Sequence, residues 1–372
     1  MIRLSKPIIS EDEINAVNHV LRSGVFVQNE HVQRFEQLLK QFIGSDVLAV
    51  SSGTAALHVA LSALKIKKGD AVFLPSFTFP ATANVVELQH ARPVLVDVDE
   101  DTYNIDPKKL EKSIEEWQGP EIPKAIIVVH QFGAPCNMTK IREIAKKYGL
   151  FLIEDAACAL GTTWNGQHAG TFGDIGCFSW HPRKSITTGE GGAVAVKDNM
   201  LRKRIELLRN HGLEKSEGKV QLTLPGFNYR LTEFQAVLGK EQLKKFNGWL
   251  ESRRDLAGYY KKYLKDTADV QLPKEVTGHA WQTYMVVLNE NISQQAVIGE
   301  MRQKQIETNI GSLSVHLLDY YKTKYKYQDS FFPISRKLSE QGLALPMYPG
   351  LDKTDIDYVC SSLKEIISKC KK

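Results

Sequence analysis

Between Val47 and Val196 the chain repeats one pattern: a short, β-branched apolar run, then a stretch with helical periodicity. The runs are Val47-Leu48-Ala49-Val50, Ala71-Val72-Phe73-Leu74, Pro93-Val94-Leu95-Val96, Ala125-Ile126-Ile127-Val128-Val129, Leu150 to Ile153, and Ala193-Val194-Ala195-Val196. Each is apolar at consecutive positions, so each needs cover on both faces. Strands covered on both faces and separated by helices build a mostly parallel sheet between two helical layers. The expected fold class is therefore α/β. In such sheets ligands bind at the carboxyl ends of the strands.

Outside this region the pattern is helical. Ser10 and Glu13 have capping-box spacing, and Ile14, Val17 and Leu21 recur on one helical face. Leu231 to Lys265 reads as long helices, followed by the apolar run Val286-Val287-Leu288 and a helix near Gln294 to Lys304. A last helix is expected from Asp355, capped by Thr354, with Ile356, Val359, Leu363 and Ile366 as its apolar stripe. We expect a large domain over residues 1–245 and a smaller C-terminal α/β domain over 246–372, with the first helix packing near the second. A chain of 372 residues is long enough for both.

Composition excludes several classes. A net charge of +5 without a basic block is not a nucleic-acid footprint. No apolar run reaches the length of a membrane span, and Met1 to Pro7 carries no secretion signal. Cys136, Cys158, Cys177, Cys360 and Cys370 are scattered without a C-x-x-C pair, which argues against a metal cluster or a disulfide framework. The expectation is a cytoplasmic protein.

The chemistry collects just after the apolar runs. Ser51-Ser52-Gly53-Thr54 joins a strand to a helix, where free N–H groups can hold a phosphate and Gly53 allows close approach. Alone, it reads first as an ordinary capped turn, because small polar residues are common at caps. Asp155 closes the run Leu150 to Asp155, either as a cap or as partner to a buried cation. Lys184 follows Ile175-Gly176-Cys177-Phe178-Ser179; a lysine near strand ends can be buried, and a buried amine can form an imine. Phe79 could stack on a planar ring or fill the core.

Taken together, these segments resemble the DegT/DnrJ/EryC1/StrS family of pyridoxal phosphate (PLP)-dependent nucleotide-sugar aminotransferases, over nearly the whole chain. The resemblance rests on Ser52 to Leu57, Pro75 to Phe79, Glu154 to Ala157, and the Phe178 to Gly192 block. It rests also on Gly226-Phe227-Asn228-Tyr229-Arg230, followed by Glu233, Gln235, Ala236 and Gly239. It implies an aspartate aminotransferase-like fold (PLP fold type I). By the same resemblance Lys184 holds PLP as an imine, Asp155 pairs with the pyridine nitrogen, and Phe79 stacks on the ring. Gly53, Thr54 and Ser179 bind the phosphate, joined by Asn228 from a neighbouring subunit, which implies a homodimer. Arg230 and His316 are candidate substrate contacts or structural residues. The implied reaction moves an amine from glutamate to a ketone on a nucleotide-linked sugar, with Lys184 as general acid and base.

The sequence departs from the family twice. Cys158 stands where Gln or His commonly bonds the cofactor's ring hydroxyl, and a thiol is a weaker partner. Asn29 stands where a glycine is frequent, and asparagine is the residue that best replaces glycine at positive φ. Four rivals follow: a C3 aminotransferase, a sugar dehydratase, a non-catalytic binder of PLP or sugar nucleotide, and an unrelated enzyme using Cys158 as nucleophile. Related dehydratases carry histidine in place of the lysine, so Lys184 favours transamination. His181-Pro182-x-Lys184 with Thr187 to Gly192 is more similar to members that aminate C4 of a 4-keto-6-deoxy sugar.

Overall fold

The computed structural model describes residues 1–216 and 218–370. Seven strands form the central sheet: β1 (Asp46–Val50), β2 (Asp70–Pro75), β3 (Arg92–Val96), β4 (Ile122–Val129), β5 (Phe151–Asp155), β6 (Ile175–Ser179) and β7 (Gly192–Val196). Their order is β1-β7-β6-β5-β4-β2-β3. All pairings are parallel except those of β7, which runs antiparallel to β1 and β6. The consecutive apolar runs have the predicted cause. Val72, Leu74, Ile127 and Ile153 face a core built with α3 (Gly53–Ala63) and α4 (Ala81–Leu88), while Phe73, Ile126, Val128 and Leu152 face the opposite core. Burying both sets removes about 25 cal/mol of unfavourable hydration per Å² of apolar surface.

Two N-terminal helices, α1 (Glu11–Ser23) and α2 (Glu30–Ile43), pack on one long helix, Glu233–Leu264. The region expected to hold several helices is thus a single helix of 32 residues, about 48 Å long at 1.5 Å per residue. The boundary expected at residue 245 lies inside it. Its residues up to Leu250 join the core that holds Phe178 and Trp180, and those from Leu256 onward join the core that holds Tyr284 and Leu345. A second, antiparallel sheet runs in the order Val270–Gln271, Tyr284–Leu288, Gly342–Leu345, Asn309–Ile310. After Ile310 the chain reaches Leu313 and Ser314, which pair with Thr78 and Phe77.

Three local expectations need correction. On α1 the buried residues are Glu13 and Val20, whereas Ile14 and Leu21 are exposed. Glu13 is buried because its carboxylate accepts from the Ser10 N–H (2.8 Å) and from Lys245 Nζ (2.9 Å), an ion pair the apolar period could not reveal. Asn29 has φ −151°, so this turn uses no left-handed residue there. Instead Glu233 accepts from the N–H groups of Asn29, His31 and Val32, holding the start of α2 from a distant helix. The last helix spans Lys353–Lys369 with Asp352, not Thr354, as its cap; its predicted stripe is buried.

Candidate active site

The carboxyl ends of β1, β5 and β6 and the start of β7 meet at one edge of the sheet. Register fixes this: Val50 pairs with Gly192, Gly192 with Ser179, and Asp155 with Cys177. At the β1–α3 turn the Ser52 side chain caps the helix by accepting from the Ala55 N–H at 3.0 Å. The Gly53 and Thr54 N–H groups precede the first intrahelical donor, the Ala56 N–H on the Ser52 carbonyl, and remain available to an anion. Gly53 faces Ser179 so closely that a Cβ there would lie 2.7 Å from the Ser179 Cβ. The cradle is therefore lined by backbone and one hydroxyl.

Asp155 is buried at the tip of β5. Thr82 Oγ1 donates to it at 2.8 Å and the Ala157 N–H at 3.1 Å. Burial raises its carboxyl above the ordinary value, against the pull of Thr82, Ala157 and the Lys184 charge. A buried carboxylate left short of counter-charge is suited to a cationic ring nitrogen. Its neighbour Glu154 is different. His130 Nε2 (2.9 Å) and the N–H groups of Gly170, Phe172 and Gly173 fully occupy it. Burial works against its charge, but His130 and these amides outweigh it and hold the pKa low. His130 Nδ1 accepts the Cys136 N–H (3.1 Å), so its proton sits on Nε2. Glu154 is thus a scaffold for the 170–173 turn.

Lys184 lies half-buried in the loop after β6, with Nζ 3.0 Å from Cys158 Sγ. Both sides of this loop are held: Gln282 Nε2 donates to the Arg183 carbonyl (2.6 Å), and Gln242 grips Thr187. Phe79 is 69% exposed, so it is no core residue. Its carbonyl accepts from the Thr82 N–H (3.2 Å), which ties it to the turn above Asp155.

The structure thus brings Gly53 to Ser179, Cys158 to Lys184, and Phe79, through Thr82, to Asp155. Asn228 is exposed beside Asn210, and Arg230 Nη1 bonds Asn210 Oδ1 at 2.5 Å, its backbone bridged to Val50 at the end of β1. His316 is fully buried, stacked on Phe332 and bonded through Nδ1 to Ser76 Oγ at 2.6 Å. Burial pulls its imidazole down to about 4, which makes it a neutral packing residue here. Thr82, Gln242 and Gln282 escaped the sequence reading, because no motif marks a lone threonine or glutamine whose partner lies 55 or more positions away.

A mostly parallel sheet of this order, with a lysine and a buried aspartate at its carboxyl edge and a glycine-serine cradle suited to a phosphate, defines a PLP-dependent enzyme of fold type I. The residues present fit PLP: the cradle would meet its phosphate, Asp155 its ring nitrogen and Lys184 its aldehyde. The chain belongs to the DegT/DnrJ/EryC1/StrS aminotransferase family, whose model matches residues 7–364. It is 34% identical to the spore coat polysaccharide biosynthesis protein SpsC of Bacillus subtilis, over 98% of this chain and 96% of that protein. A DegT/DnrJ/EryC1/StrS aminotransferase from Brucella abortus superposes with TM-score 0.89 at 33% identity, covering 96% of this chain and 95% of that one. The putative sugar aminotransferase Spr1654 of Streptococcus pneumoniae, solved in its PMP-form, gives TM-score 0.92 at 26% identity over all of both chains.

Proposed function

We propose that the protein transfers the amino group of glutamate to C4 of a nucleotide-linked 4-keto-6-deoxy sugar, as a step in amino-sugar or polysaccharide biosynthesis. The observation that carries the reading is the lysine–aspartate pair at one sheet edge: an amine held in a fixed loop, and a buried carboxylate wanting a cation. The sugar class is supported by the names of SpsC and Spr1654. Position C4 rests on the His181 to Gly192 block, and glutamate on the family resemblance.

In this reading each residue has a task. Gly53, Thr54 and Ser179 hold the cofactor phosphate at the start of α3, where the helix dipole favours an anion. Phe79 covers one face of the ring and shields it from water. Asp155 keeps the ring nitrogen protonated, and Thr82 orients the carboxylate. PLP bound there supplies an electron-withdrawing ring that accepts charge when a substrate C–H bond is broken. Lys184 would hold the group through its amine and, when that amine is free, would take and return the proton of the substrate C–H bond. Cys158 lies beside Lys184, and Arg230 lies nearest the β1 end as a substrate contact.

The site is completed by a second copy of the chain. Asn228 is exposed, close in sequence to the exposed strand Lys219–Leu222. Val25, Phe26 and Val27 also face solvent. Exposed apolar side chains near a site are natural interface material. The reading places this homodimer in the cytoplasm; no helix among the described residues is long and apolar enough to cross a membrane. The test is to supply glutamate with nucleotide 4-keto sugars and locate the new amine by NMR. An amine at C4 is expected, and an amine at C3 overturns the assignment.

A further inference from the structure

The geometry points to Cys158 and Lys184 as a peroxide-sensitive modification site, in which oxidation joins the two side chains by an S–N bond. Lys184 Nζ lies 3.0 Å from Cys158 Sγ. Both side chains are half-buried at the open edge of the sheet, reachable by a molecule as small as hydrogen peroxide. The other thiols are differently placed. Cys136, Cys177 and Cys360 are buried; burial pushes the Cys177 thiol well up and the Cys360 thiol to about 12. Cys370 follows the last helix. Only Cys158, among the described cysteines, has an amine as its hydrogen-bond partner.

The chemistry is a two-electron oxidation of sulfur. Peroxide transfers one oxygen to Sγ: the O–O bond breaks, an S–O bond forms and one water leaves, giving a sulfenic acid. The Nζ lone pair then attacks sulfur. An S–N bond forms, the S–O bond breaks, and the departing hydroxide takes an amine proton as a second water. Thiol, amine and one peroxide thus become a sulfenamide and two waters. Added thiol reverses it by attacking sulfur and releasing the amine, and a second thiol then frees Cys158. While joined, Lys184 has no free amine for a carbonyl. Bond formation depends on the two side chains alone; its effect on turnover rests on the cofactor assignment above.

The test is mass spectrometry of the full-length protein after hydrogen peroxide, with and without added PLP. Without PLP, proteolysis yields the Cys158 and Lys184 peptides linked, two hydrogens lighter than their sum. Dithiothreitol releases them, and the link is lost in Cys158→Ser and in Lys184→Met. Added PLP, by occupying Lys184, reduces the linked fraction at least tenfold. Cys158 found only as sulfinic or sulfonic acid with Lys184 free, or left unmodified, overturns the inference. The absorbance of untreated protein with PLP is read separately. A cofactor band without a link removes the inference and leaves the cofactor assignment; a link without a band does the reverse.

Discussion

Gln242 grips Thr187 through both ends of its amide: Nε2 donates to the Thr187 carbonyl at 2.6 Å, and Oε1 accepts the Thr187 N–H at 2.9 Å. The contact joins the long helix to the loop that carries Lys184. The last nine residues of that helix, Leu256 to Leu264, about 13 Å of its length, pack into the second core. Arg253 on it donates to the Gln282 carbonyl at 3.2 Å, and Gln282 in turn holds the Arg183 carbonyl. One helix therefore fixes the lysine loop from both sides.

Replacing Gln242 by Leu leaves the buried Thr187 N–H and C=O without partners. The expected loss of stability is about 1–3 kcal/mol, the cost of unsatisfied buried groups. Urea denaturation of the two proteins measures it, and PLP affinity should fall with it.

Asp155→Asn should separate stability from function. Burial raises the folded pKa of Asp155 above its unfolded value. Its favourable contribution is therefore present below the unfolded value and lost as pH rises through the folded one. In cofactor-free protein, raising the pH through the folded value puts a charge on a buried carboxylate, so the variant should melt higher than the parent on the high-pH side. The gain should shrink as pH is lowered toward the carboxylate range. Turnover should fall by about 10²-fold or more, because a preorganised charge is removed. Melting curves against pH and kcat/KM check both halves.

The sheet was legible because both-face burial writes itself as consecutive β-branched residues, as at Ile126 to Val129. The placement of Asp155 at a strand end and of Lys184 in the loop after a strand was legible because both follow such runs. What the sequence concealed lies in long-range partners. Ile14 and Leu21 suggested a core face on α1, but Lys245 draws Glu13 inward instead. Likewise Glu233, not a special φ at Asn29, secures the start of α2. His316, left open between substrate contact and structural residue, lies buried against Phe332 and Ser76, partners 16 and 240 positions away.

Gly53→Ala places a Cβ 2.7 Å from the Ser179 Cβ, at the rim of the phosphate cradle. PLP affinity should fall at least about tenfold, or 1.4 kcal/mol. Gly248→Ala is the control: its Cβ meets nothing within 4 Å in the middle of the long helix. It should stabilise by about 0.5–1 kcal/mol and leave binding unchanged.

Phe79→Ala should alter stability by less than about 0.5 kcal/mol, as expected for an exposed residue. If the ring stacks on the cofactor, PLP binding should weaken by about 0.5–1.5 kcal/mol. Denaturation and a PLP titration on the same sample separate these effects.

The central claim is that Lys184 holds PLP as an imine and yields it to an amino donor. The direct measurement is the absorbance spectrum of purified protein with PLP, before and after glutamate, beside Lys184→Ala. The account predicts an imine band in the parent protein that gives way when glutamate is added, and no such band in the variant. No imine band in the parent, or an equal band in Lys184→Ala, would contradict it.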